Sequence, residues 1–192
     1  MITTPESIME TYISFLRGVN MTGHNSIKMT DLSVLLIKMG LKDAETYIQS
    51  GNVIFSEVGN IPPSALSINM EQAIVERFSY VIPVMIRTKE ELAGLYASNP
   101  FLEEPDFNPA RMAVIFLHDE PSDNQIKKVA DINYPPDKFK IIGKEIFIYC
   151  PNGFGRTKLY TNFFEKKMGV TGTARNWKTI TTILRIAEKK SS

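Results

Sequence analysis

The chain alternates between short apolar runs with the two-residue period of a strand and longer stretches with the period of a helix. Tyr12-Ile13-Ser14-Phe15-Leu16 is the first strand-like run, and it breaks at the turn-prone Arg17-Gly18-Val19-Asn20. After a polar loop from Met21 to Ser26, Leu32, Leu35, Leu36 and Met39 recur at i, i+3, i+4 and i+7. This predicts a helix, with Gly40 placed to stop it in the left-handed conformation. Thr46-Tyr47-Ile48 and Val53-Ile54-Phe55 flank Gln49-Ser50-Gly51-Asn52 and predict a hairpin. Pro62-Pro63-Ser64 opens a second helix with Leu66, Met70, Ile74 and Phe78 on one stripe. Val81 to Ile86 predicts a fourth strand, and Pro83, which cannot donate to a ladder, assigns it to a sheet edge. Thr88 with Glu91 is a capping box for a third helix, which stops before Asn99-Pro100.

The order then restarts. Phe101 to Pro109, rich in proline and acidic residues, is the candidate linker. Met112 to Leu117 predicts a strand, and Ser122 with Gln125 a second capping box before Ile126, Val129 and Ala130. Phe139 to Ile142 and Glu145 to Tyr149 predict strands paired across Gly143-Lys144. Thr157 is placed to cap a helix with Leu159, Phe163 and Phe164 inward, and Val170 to Ala174 predicts a short strand. Asn176 caps a last helix with Trp177, Ile180, Leu184 and Ala187 on one face and Lys189-Lys190 at the dipole's negative end. A βαββαβ order most simply gives an antiparallel four-stranded sheet covered on one face. The prediction is therefore an α+β protein of two ferredoxin-like (βαββαβ) halves in tandem, each followed by an extra helix. Residues 1–100 form the first half, 101–110 the linker and 111–192 the second half.

Composition narrows the function classes. With 43% hydrophobic and 22% charged residues, the chain reads as an ordinary globular protein. Its apolar runs are too short to span a bilayer, and Met1 to Ser7 lacks the features of a signal peptide. The single cysteine, Cys150, excludes an intramolecular disulfide and fits a reducing compartment, so a cytoplasmic location is expected. A net charge of +1 argues against a DNA-coating protein. The charge is unevenly spread: residues 1–108 carry a net −6 and residues 109–192 a net +7, which marks either a surface for an anionic partner or plain solvated faces.

The strings Arg17-Gly18-Val19-Asn20, Thr46 to Val53 (TYIQSGNV) and Thr173-Ala174-Arg175-Asn176-Trp177 resemble the bacterial family called domain of unknown function 1697. Gly155-Arg156-Thr157-Lys158-Leu159 is similar to that family's Gly-x-Ser-Lys-Leu stretch, with threonine in place of serine. The resemblance implies a small bacterial α+β protein of the plait type. It implies no activity and no catalytic residue.

Two clusters are candidates for chemistry. In a plait the first and second strands run the same way, so the turn after the first and the hairpin after the second share one sheet end. Arg17, Asn20, Gln49 and Asn52 then form either a set of donors for a carboxylate, phosphate or amide, or a brace for the loops. In the second half, Pro151 to Lys158 and Ala174 to Trp177 are each predicted to lead into a helix start, where N–H groups and the dipole attract anions. Gly153 and Gly155 let the backbone approach a ligand, and Arg156, Lys158, Arg175 and Asn176 supply charge and donors. Well-capped helices with solvated cations are the bland alternative. The Walker A spacing is absent.

Other chemistries have less behind them. His24 and His118 lack ligand spacing, so no metal and no specific cofactor is indicated, although Asp119-Glu120 beside His118 forms an acidic turn. Cys150 ends an apolar strand and reads as buried. Ser50 lacks a nucleophile elbow and a histidine partner. Phe154, between two glycines, is placed to stack on a nucleobase if exposed. The leading expectation is binding of a phosphorylated small molecule or nucleotide. The competing ones are a transferase or hydrolase acting on an anionic substrate, and an RNA- or protein-binding or oligomeric module.

Overall fold

The computed structural model describes residues 9–21, 25–58 and 61–190; His24 and the Met1 to Ser7 opening lie outside them. The chain divides into two compact units, one of residues up to 92 with those from 183 onward, the other of residues 93–182.

The first unit holds β1 (Met9–Leu16), α1 (Met29–Lys38), β2 (Lys42–Tyr47), β3 (Asn52–Val58), α2 (Pro63–Phe78) and β4 (Val84–Thr88), followed by α3 (Lys89–Ala97). The sheet order is β2-β3-β1-β4, every pair antiparallel, which is the ferredoxin-like plait. Helix α1 stops as its sequence demands. Gly40 sits at φ +84, its N–H reaches the Ile37 carbonyl, and the Leu41 N–H reaches Leu36, closing a Schellman cap. The fourth strand is at an edge as expected, but it runs Val84–Thr88 rather than Val81 to Ile86: it begins only after Pro83, with the Val84 N–H held by a Glu71 carboxylate oxygen at 2.7 Å. The Thr88–Glu91 capping box is formed in both directions. Leu32, Leu35 and Leu36 of α1 and Leu66, Met70 and Ile74 of α2 pack on Tyr12, Leu16, Val53 and Phe55 of the sheet.

The second unit repeats the order with β5 (Met112–Leu117), α4 (Asp123–Lys127), β6 (Lys138–Ile142), β7 (Glu145–Tyr149), α5 (Thr161–Phe164) and β8 (Gly172–Asn176); α6 (Trp177–Lys190) follows, its residues from 183 onward counting with the first unit. Its order is β6-β7-β5-β8, again fully antiparallel. Two helices are much reduced. Helix α4 has five residues, and α5 has four before a five-residue π turn, Glu165–Gly169.

The registers make the repeat residue-specific. Ile13 pairs with Ile54 and Arg87, and Val114 pairs with Phe147 and Arg175. Phe15-Leu16 therefore occupies the place of Phe116-Leu117, and Arg87 the place of Arg175, one residue before the helix cap in each half. The expectation of one covered face per sheet needs correction. Ile13, Phe15, Ile54 and Met85 on the reverse of the first sheet, and Met112, Val114, Phe116 and Phe147 on that of the second, are buried too. The sequence reason is visible in β5, whose MAVIFL run offers no polar face to water.

Candidate functional site

Strand β7 ends at Tyr149, and the buried Cys150 donates its N–H to the Arg111 carbonyl at 2.9 Å. The chain then doubles back: the Gly153 N–H reaches the Cys150 carbonyl at 2.8 Å, and Gly153 sits at φ +87. At that φ a residue with a side chain is strained, and the Arg111 guanidinium lies where a Cβ would stand, so a substitution would also have to push Arg111 aside. A 3-10 turn, Phe154–Arg156, leads to the buried Thr157, whose Oγ1 accepts the Leu159 N–H.

Because β6 neighbours β7, the loop entering β6 faces this turn. Tyr134 and Asp137 close that loop with a single bridge. Between the two loops lies a cavity of about 670 Å³, lined by Tyr134 and Asp137 on one side and Gly153, Gly155, Arg156 and Lys158 on the other. Lys158 Nζ stands 5.1 Å from the centre of the Tyr134 ring, a cation–π contact across the mouth of the two loops. Burial pushes the Cys150 thiol up to about 11; a hydrogen bond with Thr157 opposes the shift and the Asp137 charge adds to it. The raised value favours the protonated thiol at neutral pH, in keeping with the expected burial of Cys150.

The second predicted member of this site lies elsewhere. Strand β5 stands between β7 and β8, so the end of β8 is two strands removed from the glycine turn. Arg175 and Asn176 do not line the cavity. The Arg175 guanidinium is buried, bonded to Thr173 Oγ1 and the Ala174 carbonyl, both at 2.8 Å, and burial lowers its pKa to about 10. It remains cationic at neutral pH. Asn176 caps α6 as predicted, its Oδ1 accepting the Thr179 N–H at 2.8 Å. Thr157, in contrast, caps no helix. The α5 N-cap position is Tyr160, and the glycine turn does not run into a helix start. The expected dipole contribution is absent, leaving side chains and loop amides as the donors.

In the first unit the predicted residues do converge, as braces. Asn20 Nδ2 donates to the carbonyls of Ile27 and Gln49, and its Oδ1 accepts the Ile27 N–H. Asn52 is fully buried and donates to the Tyr47 carbonyl and Ser50 Oγ. Gly51, at φ +70, lies so near β1 that a Cβ would stand 2.8 Å from that of Leu16. Arg17 is half-buried, and its N–H bonds the Pro83 carbonyl. Asn20, Gln49 and Asn52 therefore hold the hairpin against the β1 turn, which is the structural alternative for this cluster. In the acidic turn, His118 Nδ1 meets Asp119 Oδ2 at 2.9 Å, and among the described residues no group of three His, Cys, Asp or Glu could hold a metal ion.

The family described as "Protein of unknown function (DUF1697)" matches residues 9–147. The chain belongs to that family. The conserved bacterial protein SP0830 from Streptococcus pneumoniae shares the fold: TM-score 0.71 at 22% identity, over 94% of this chain and 99% of that one. No curated protein matches. The DUF1697 match takes in the Tyr134–Asp137 wall of the cavity and stops short of the glycine turn.

Three residues of the site were missed in the sequence. Tyr134 and Asp137 sit in Asn133-Tyr134-Pro135-Pro136-Asp137, a proline-marked turn with an aromatic and an acid, which was a usable signal. Arg111, which braces Gly153, carries no local signal, because its role arises only when β5 pairs with β7. Phe154, placed to stack only if exposed, is half-buried and packs against the second core, and Tyr134 is the aromatic residue that lines the cavity. Among the described residues no helix is long and apolar enough to cross a membrane.

Proposed function

We propose that this DUF1697 protein binds a phosphorylated small molecule, of the nucleotide or sugar-phosphate class, in the cavity between the Tyr134–Asp137 loop and the glycine turn, and that it does so in the cytoplasm. The observation that carries the reading is the donor set on one rim. Arg156 and Lys158 stand beside Gly155, whose missing side chain faces open space and leaves room for a phosphate to approach. Tyr134 offers a flat apolar wall for a ring or sugar face, and Asp137 an acceptor for its hydroxyl or amino groups. At about 670 Å³ the cavity has the size of a small-ligand pocket.

Thermal denaturation with a panel of nucleotides and sugar phosphates tests this. A ligand at about 100 times its Kd stabilises the folded state by about 2.7 kcal/mol, a shift of several degrees. The double variant Arg156→Ala, Lys158→Ala should abolish the shift, whereas Arg175→Lys should leave it in place. A panel without a hit, accompanied by salt-sensitive retention of RNA, would replace this reading with a nucleic-acid one.

A further inference from the structure

A second cavity, of about 490 Å³, adjoins the first along α4 and β6, with Ile126, Val129 and Ala130 on one wall and Phe139 and Ile141 on the other. Asn133 and Asp137 line both cavities, so the cationic rim at Arg156 and Lys158 passes into an apolar trough. The trough has a structural origin. In the first half, the ten-residue α1 buries Leu32, Leu35 and Leu36 against the sheet. In the second, five-residue α4 buries none of its own residues. Strand β6 alternates accordingly: Lys138 and Lys140 are exposed, while Phe139 and Ile141 turn inward and stay only half covered.

We infer that the two cavities form one site for an anionic amphiphile, with a phosphorylated head at Arg156 and Lys158 and an alkyl or acyl tail along the α4–β6 trough. This rests on the phosphate reading above and adds the tail. The occupant follows from the chemistry at each end. Cations and loop amides complement a phosphate, half-covered apolar walls gain by covering, and Asn133 and Asp137 sit where head joins tail. Lys138 on the trough's rim is paired with Glu104, so Lys140 is the rim lysine that favours an anionic amphiphile over a cationic one.

Isothermal titration with inorganic phosphate and with ethyl, butyl, hexyl and octyl phosphate below their micelle concentrations is the test. Affinity should rise by up to about fourfold per methylene while the tail fits the trough. Ala130 is exposed on the trough wall, so Ala130→Trp should fill it without disturbing the core. That variant should keep phosphate affinity and lose the chain-length dependence. Arg156→Ala with Lys158→Ala should weaken every member of the series at least tenfold and leave the slope intact. A flat series with measurable phosphate binding overturns the tail site and leaves the head site standing. A slope unaffected by Ala130→Trp, or octanol binding as tightly as octyl phosphate, also overturns it. Absence of binding by every member removes the head-group reading and this one together.

Discussion

The two halves share a topology and a register, and they differ in what their helices cover. In the first, α1 and the sixteen-residue α2 close a continuous core over the sheet. In the second, five residues of α4 and four of α5 stand in those places, and the apolar trough borders α4. A duplicated plait can thus assign stability to one copy and surface to the other, because shortening a helix exposes apolar sheet without breaking a strand ladder. The sheet tolerates this because its stability rests on its own pairing and on its reverse face, which stays buried.

The sharpest test of that contrast compares equivalent helices. Leu36→Ala removes a fully buried side chain from α1 and should cost about 3 kcal/mol in chemical denaturation. Ile126→Ala in α4 trims a half-exposed trough wall and should cost less than about 1 kcal/mol. Equal costs would mean that α4 is as much a core element as α1, and the comparison would break.

The halves should agree, however, at the end of the fourth strand. Arg87 and Arg175 are both buried, and each donates Nη1 to the carbonyl of the residue before it, at 2.9 and 2.8 Å. Replacing either with leucine deletes charged hydrogen bonds and should cost about 2 kcal/mol. The two losses should match within about 1 kcal/mol, measured as unfolding free energies. A large loss for one and none for the other would show that the shared register carries no shared role.

These arginines also show what was and was not legible in the sequence. The plait was legible because apolar period, capping boxes and Pro83 each act locally, and Thr88, Ser122 and Asn176 all cap where their spacing said. Arg175 beside a glycine turn looked like half of a ligand site. Its guanidinium instead turns back onto Thr173 and the Ala174 carbonyl and is buried, off the cavity lining, and where a side chain turns is a non-local property. The same holds for the Tyr134–Asp137 wall. Its loop faces the glycine turn only because β6 pairs with β7, a hairpin whose reach back to residue 134 no local pattern encodes. Thr157 was misassigned for another reason. A threonine two residues ahead of an apolar one signals a cap, yet here its hydroxyl accepts from Leu159 and the helix waits until Thr161.

Alkaline pH should separate the halves by a smaller margin. Cys150, which precedes the glycine turn, is raised to about 11 chiefly by burial. A raised pKa means that its contribution is full below the ordinary thiol value of about 9 and is lost as pH climbs from 9 through 11. In the first half, Tyr12 is also pushed above its usual value, by burial and then by its hydrogen bond to Glu10, so its loss falls at higher pH. Denaturant midpoints of wild type should therefore fall relative to those of Cys150→Ala between pH 9 and 11. A constant difference across that window would place the thiol in contact with water.

The smallest effect concerns one hydroxyl. Ser14 lies in β1 between Tyr12 and Leu16 on the core face, fully buried, and its Oγ has no hydrogen-bond partner. The register places it opposite Val53 and Ile86, and the equivalent residue of the second half is Ile115, an apolar core member. A buried hydroxyl without a partner keeps its desolvation cost and returns nothing for it. Ser14→Ala should accordingly leave stability unchanged or raise it by up to about 1 kcal/mol, against the usual direction for a core substitution. A loss above about 1 kcal/mol would mean that the hydroxyl does find a partner in solution, and that the first core is not the fully apolar counterpart that Ile115 marks in the second.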